Sequence, residues 1–278
     1  MTDERVVPEG KYVDVGDGLR IHYQEAGPAD GRAVLFLHGS GPGASGWSNF
    51  RRNYPFFAER GFRVLVPDTL GFGYSSKPDD RDYGLAYLAG ILRRFTDALD
   101  VKSCALVGNS HGGALSIQYT LDHPEAVTHL VLMAPGGLEV RETYMKMEGI
   151  RAMMKAFLAP EGVTRESLRT VFGLQLFDPA RITDEIIEER YQIAVTQPKR
   201  VLTTLNVPHL APELPRIECP VLGFWGMQDR FCPSSGATAI ASSCPKARVL
   251  LLNRCGHWVM VEYADLFNRQ AVDFLHGH

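Results

Sequence analysis

The feature that most constrains this chain is a series of short apolar runs without alternation, separated by stretches of helical spacing. The runs are Ala33 to Leu37, Val64 to Val66, Ala105 to Val107, Leu130 to Met133, Val221 to Trp225 and Val249 to Leu252. A strand with one wet face alternates apolar and polar residues, whereas continuous runs of this length read as strands covered on both faces. Between them, Leu85, Leu88, Leu92, Phe95 and Leu99 recur three or four residues apart, the stripe of an amphipathic helix. Alternating buried strands and helices predict an α/β fold, a mostly parallel central sheet flanked by helices. Two earlier segments, Lys11 to Val15 and Leu19 to Glu25, meet at Gly16-Asp17-Gly18 and predict a hairpin at the sheet edge.

The rhythm stops after Pro135 and resumes at Pro220-Val221. Helical patterns without a buried strand fill the interval from Leu138 to Pro212. We read 138–212 as a helical lid inserted into a core built from 1–137 and 213–278. A chain of 278 residues falls within the range of one large domain, or a domain with such an insertion.

Composition narrows the partners. With 45% hydrophobic residues and a formal charge of −3, the chain has an ordinary globular make-up and no electrostatic footing for nucleic acid. The five cysteines are scattered singly, without the spacing of a zinc site or a disulfide framework, which points to a reducing cytoplasm and no metal. Met1 to Gly10, with Asp3 and Glu4, has no apolar run, so no secretory leader is expected. Nor does any stretch reach the roughly 20 apolar residues of a membrane span. A small-molecule partner is the expectation that remains.

Gly108-Asn109-Ser110-His111-Gly112 follows the strand Ala105 to Val107 and precedes a helix expected to begin near Gly113-Ala114. That is the strand, sharp turn and helix of a G-x-S-x-G nucleophile elbow, whose glycines leave room for close backbone approach. A serine hydroxyl needs a base within reach, itself oriented by an acid, and in this arrangement the chain order is serine, acid, histidine. Of nine histidines only His257, His276 and His278 lie beyond Val221, and the last two sit at the chain end. His257, just after the strand Val249 to Leu252, is the candidate base. Asp229, after the strand Val221 to Trp225, is the candidate acid; pairing with Arg230 in a surface turn is its alternative use.

The loop His38-Gly39-Ser40-Gly41-Pro42-Gly43 follows Ala33 to Leu37, where backbone N–H groups for a developing oxyanion belong. The amides of Ser40 or Gly41, with that of His111, are the candidates. The loop lacks the lysine and the spacing of a nucleotide-binding loop. In the helix expected after Thr183, Arg190 falls on the apolar face with Ile186, Ile187, Tyr191 and Ala194. A cation there needs an anion, either a buried glutamate or a carboxylate on a ligand. Trp258 and Asn109 either donate hydrogen bonds into the same pocket or pack and brace; Asn49 either reaches substrate or caps a helix.

At these residues the sequence resembles the meta-cleavage-product hydrolases, carbon–carbon bond hydrolases of the α/β-hydrolase fold. The resemblance spans nearly the whole chain and includes His38 to Ala44, Trp47-Ser48-Asn49-Phe50, Gly108-Asn109-Ser110 with Gly112-Gly113, Leu132 to Gly137, and Cys255-Gly256-His257-Trp258. It implies hydrolysis of a 2-hydroxy-6-oxo-hexa-2,4-dienoate to 2-hydroxypenta-2,4-dienoate and a carboxylic acid, without metal or organic cofactor. It further implies that Arg190, Asn49, Asn109 and Trp258 hold the dienoate end, and that a homo-oligomer is to be looked for. Two departures stand out. His111 replaces the methionine, leucine or phenylalanine more frequent in that family, so that its imidazole would alter the pocket, and the stretch from Pro198 to Pro220 is short. A carboxylesterase or lactonase with the same triad is the alternative reading; a receptor that keeps the shell without turnover would show a damaged triad.

Overall fold

The computed structural model describes residues 10–277. The expectation of no leader at the N-terminus therefore lies largely outside the described residues, as does His278. Eight strands form one sheet: β1 Lys11–Asp14, β2 Arg20–Ala26, β3 Ala33–Leu37, β4 Arg63–Pro67, β5 Cys104–Asn109, β6 Val127–Met133, β7 Val221–Gly226 and β8 Ala247–Leu252. Their spatial order is β1-β2-β4-β3-β5-β6-β7-β8; β2 runs antiparallel to both of its neighbours, β1 and β4, and the pairs from β4 to β8 are parallel. The hairpin thus sits at the edge, where Gly16-Asp17-Gly18 places it.

Successive residues of a buried strand feed two different cores. Leu35 and Leu37 of β3, Leu106 of β5 and Leu130 and Leu132 of β6 belong to one hydrophobic cluster. Val34 and Phe36, Val107, and Val131 and Met133 point into the other. Both neighbours of each pair are apolar because both faces are covered, which is why the runs show no alternation. β8 departs from this expectation: it is the far edge strand, only partly buried, and Leu251 is 54% exposed.

Helices cover both faces and the carboxyl ends of the strands. In chain order they are α1 Gly46–Phe50, α2 Tyr54–Ala58, α3 Leu85–Ala98, α4 His111–Asp122, α5 Arg141–Tyr144, α6 Glu148–Leu158, α7 Arg165–Gln175, α8 Asp184–Ala194, α9 Lys199–Thr203, α10 Ser235–Ser243, α11 Val259–Glu262 and α12 Ala264–His276. The predicted stripe is the buried face of α3, with Leu85, Leu88, Leu92 and Phe95 inside. α5 to α9 lie between β6 and β7 with no intervening strand, as the broken rhythm predicts. α7 starts on a capping box in which Thr164 accepts from Ser167 N–H and Ser167 reciprocates, and α8 on Thr183, which accepts from Ile186 N–H. His276 ends a full helix, and its ring lies against Arg32 and Phe62, just before β3 and β4, and not on the cavity that holds Ser110. Among the described residues no helix is long and apolar enough to cross a membrane.

The chain runs from β3 outward to β4, then returns to β5 on the other side of β3. In an open parallel sheet this reversal opens a crevice at the carboxyl ends of the two strands, where ligands bind. The glycine loop follows β3 and Ser110 follows β5, so both stand at that crevice.

Candidate active site

Ser110 occupies the turn between β5 and α4 with φ 56° and ψ −118°. A side chain at positive φ is strained by about 1–3 kcal/mol and persists only when its surroundings hold it. Here the Ser110 N–H donates to the Met133 carbonyl at 3.0 Å, and its own carbonyl accepts from Ala114 and Gly136 N–H at 3.0 and 2.9 Å. Gly112 lets this turn press on β3: a Cβ there would lie 2.0 Å from the Leu37 carbonyl oxygen. The helix begins at His111 rather than near Gly113, because the elbow is completed by Ser110 alone.

His257 Nδ1 and Asp229 Oδ2 are 2.7 Å apart, with both side chains almost wholly buried. Asp229 only accepts when ionised, so Nδ1 carries the proton and Nε2 is left as the basic nitrogen. The other carboxylate oxygen of Asp229 accepts from Phe231 and Cys232 N–H at 2.7 and 2.9 Å, which locks the group in its turn. Arg230 does not pair with it; that side chain lies near Glu148. Phe231 stacks on the His257 ring at 5.1 Å. Ser110 and His257 line one cavity, without a direct hydrogen bond between them among the described residues. The Cys232 thiol sits beside the Ser110 hydroxyl, its pKa raised well above the ordinary value by burial first and then by Asp229.

The same cavity is lined by Ser40, Gly41, Asn49, Asn109, Arg190 and Trp258. His111, as first residue of α4, presents an N–H for which a helix has no internal partner. The glycine loop is braced from beneath: His38 Nδ1 donates to the Gly39 carbonyl at 2.7 Å while Nε2 accepts from Thr69 N–H at 3.0 Å. Burial lowers the pKa of His38, in keeping with a neutral ring. The His111 imidazole is buried, does not line the cavity, and is driven down to a pKa of about 3 by burial and by neighbouring His38. The expectation that its imidazole alters the pocket is not met, since His111 is not among the residues that line the cavity.

Arg190 is 2% exposed on the face of α8 that also buries Ile187 and Ala194. Burial draws its pKa down to about 10, with Glu189 pulling the other way, so it stays charged at neutral pH. Among the described residues no carboxylate forms an ion pair with it; neighbouring Glu189 pairs with Arg51. Its guanidinium donates from Nη2 to Asn49 Oδ1 at 2.8 Å and lies 5.3 Å from the Trp258 and Phe172 rings. Asn49 is thus a partner of the cation inside α1, whose cap is Ser45. Asn109 braces: its amide donates to the Met133 and His257 carbonyls at 3.2 and 3.3 Å, leaving Oδ1 buried and unpartnered.

Four lining residues escaped the sequence reading. Ile150 and Met153, three apart on α6, and Phe231 form an apolar wall, but their spacing is that of any helix packed on a core. Gln175 ends α7, a position that in sequence carries no signal at all.

A parallel sheet with a strained serine elbow at its switch point and a buried aspartate–histidine pair beyond it defines a hydrolase of the α/β class. A family model described as the alpha/beta hydrolase fold matches residues 32–264. A 2-hydroxy-6-oxo-6-phenylhexa-2,4-dienoate hydrolase of Burkholderia cepacia is 36% identical to this chain, covering 99% of each. A 2-hydroxy-6-oxononadienedioate/2-hydroxy-6-oxononatrienedioate hydrolase of Comamonas testosteroni is also 36% identical, over 95% of this chain and 96% of that one. Among solved structures, the meta-cleavage product hydrolase from Pseudomonas fluorescens IP01 superposes with a TM-score of 0.84 at 28% identity, covering 96% and 97% of the two chains. The chain belongs to the α/β-hydrolase fold family, and within it to the meta-cleavage-product hydrolases.

Proposed function

We propose that this protein hydrolyses the bond between carbons five and six of a 2-hydroxy-6-oxo-hexa-2,4-dienoate, giving 2-hydroxypenta-2,4-dienoate and a carboxylic acid. The observation that carries this reading is Arg190, a buried cation with no carboxylate paired to it among the described residues, on the same cavity as Ser110 and His257. An ordinary neutral ester has no use for it, whereas a substrate carboxylate completes it. The names of the full-length relatives agree.

On this reading Ser110 is the nucleophile, His257 the base and Asp229 the group that fixes its tautomer. Arg190, Asn49, Asn109 and Trp258 hold the dienoate end. Ketonisation moves a proton from the oxygen on carbon two to carbon five. Ser110 then adds to the carbonyl at carbon six while His257 takes its proton. The bond to carbon five breaks with its electron pair left on the dienolate, and water brought in by His257 releases the acid from Ser110. The amides of Ser40 or Gly41 and of His111 receive the oxyanion. The hydrogen bond between Ser110 and His257 forms when the substrate is seated, a common tightening.

The group on carbon six meets Ile150, Met153 and Phe231, so a phenyl or alkyl group fits there and a carboxyalkyl group does not. Residues 138–212 act as the lid that carries Arg190 and this wall. A cytoplasmic setting agrees with the five cysteines being free. The test is to add purified protein to yellow 2-hydroxy-6-oxo-dienoates bearing methyl, phenyl or carboxyethyl at carbon six, and to follow bleaching and products. Bleaching with release of the short dienoate is expected, at least tenfold faster in kcat/KM for methyl or phenyl than for carboxyethyl. Rapid turnover of aryl esters with no bleaching would show an esterase instead.

A further inference from the structure

One polar side chain in the cavity is unused by the reaction above. Gln175, the last residue of α7, is 4% exposed, lines the cavity with Arg190 and His257, and leaves its Oε1 buried without a hydrogen-bond partner among the described residues. A buried acceptor without a partner is disfavoured, and one that lines a cavity is satisfied by what enters it. The local architecture does not need this amide. The main-chain carbonyl of Gln175 accepts from His257 and Trp258 N–H at 2.7 and 3.3 Å, a task any residue performs.

Its location narrows what it meets. Through that carbonyl Gln175 stands against the His257 loop. One turn earlier on α7, Phe172 places its ring 5.3 Å from the Arg190 guanidinium and 5.6 Å from the Trp258 ring. Gln175 therefore flanks the stretch between the cation and the base. A dienoate with its carboxylate at Arg190 and carbon six at Ser110 fills that stretch with carbons two to five, whose one heteroatom is the oxygen on carbon two. Resting on the dienoate reading, we propose that Gln175 is a specificity-determining residue whose amide hydrogen-bonds the oxygen on carbon two of the substrate. An amide suits both tautomers, since Oε1 accepts from the enol O–H and Nε2 donates to the ketone, with no change of its own charge.

The test compares wild type with Gln175→Met, which keeps the bulk and removes the amide. Hexanoate and 2-oxohexanoate serve as competitive inhibitors of p-nitrophenyl acetate hydrolysis. Wild type is expected to bind 2-oxohexanoate at least tenfold more tightly than hexanoate, and Q175M to bring that ratio close to one. In Q175M the ratio of kcat/KM for the dienoate to that for the ester falls at least tenfold. Should Q175M not fold, Gln175→Glu serves, because a carboxylate cannot donate to the ketone and the preference is lost in the same way. A variant that keeps the wild-type preference for the 2-oxo acid overturns the assignment, and so does an equal loss on dienoate and ester, the mark of a merely structural role. If wild type leaves every dienoate intact, the preceding reading fails on its own, and the inhibitor ratio still decides this one.

Discussion

At the scale of single residues, Arg190 is where function and stability oppose each other. A buried guanidinium held by Asn49 and two aromatic rings, with no carboxylate paired to it among the described residues, costs stability. Arg190→Met is therefore expected to raise stability by about 1–2 kcal/mol in urea unfolding, while cutting kcat/KM for the dienoate at least a hundredfold and that for a neutral aryl ester far less. Equal losses on both substrates would count against the carboxylate role. Ser110, Asp229 and His257 were legible in the sequence because each follows a recognisable strand in the order that the elbow demands. Asn109 and Asn49 were visible but ambiguous, since an asparagine serves a cap, a brace or a ligand equally well until its neighbours are placed. Gln175 was not legible: a glutamine ending an amphipathic helix usually faces water, and only the fold turns it inward.

At the scale of elements, the site depends on α8 resting on the glycine loop. Gly43 has φ +64°, and a Cβ there would lie 1.9 Å from the Arg190 carbonyl oxygen. Its N–H also donates to Gln197 Oε1 at 2.8 Å, and Gln197 Nε2 in turn donates to the Gly71 carbonyl at 3.1 Å. Gly43→Ala must push α8 off the loop and displace the guanidinium. The expected result is at least a tenfold loss in kcat/KM for the dienoate, mostly in KM, since the triad strands are untouched; an unchanged KM would show that α8 does not set the carboxylate site. The strands were legible as apolar runs because burial on both faces removes their polar residues. Where burial is incomplete, as in β8, the same composition misled: an edge strand of leucines reads like a central one. The start of α4 was also missed, since the glycines after His111 signal a late start that the elbow overrides.

At the scale of the whole molecule, two neutral histidines are folded beneath the site. His111 titrates near 6.5 when unfolded and at about 3 when folded, and burial lowers His38 in the same direction. As pH falls through 6.5 the unfolded chain takes up a proton that the folded one refuses, so stability drops between about 6.5 and 3. From pH 7 to 5 this amounts to about 2 kcal/mol for His111. Urea midpoints of wild type and His111→Leu at the two pH values check it: the variant is expected to lose less stability on acidification by about that amount, and an identical loss would refute a neutral buried ring. The layered sheet and the run of helices between β6 and β7 followed from the order of strands and helices, which is a property of the whole chain; the crevice between β3 and β5 came only with the spatial strand order. The apolar wall of Ile150, Met153 and Phe231 did not, because it joins residues whose proximity only tertiary packing creates.

Whether Ser110 carries out carbon–carbon bond hydrolysis on a substrate seated by its carboxylate is decided by Ser110→Ala mixed with the phenyl-bearing dienoate in a visible-absorbance titration and a parallel turnover assay. The expected result is a dissociation constant within about threefold of the wild-type KM, since the carboxylate contacts remain, and turnover reduced by about a thousandfold or more. A variant that still bleaches the dienoate at a rate near that of wild type would contradict it.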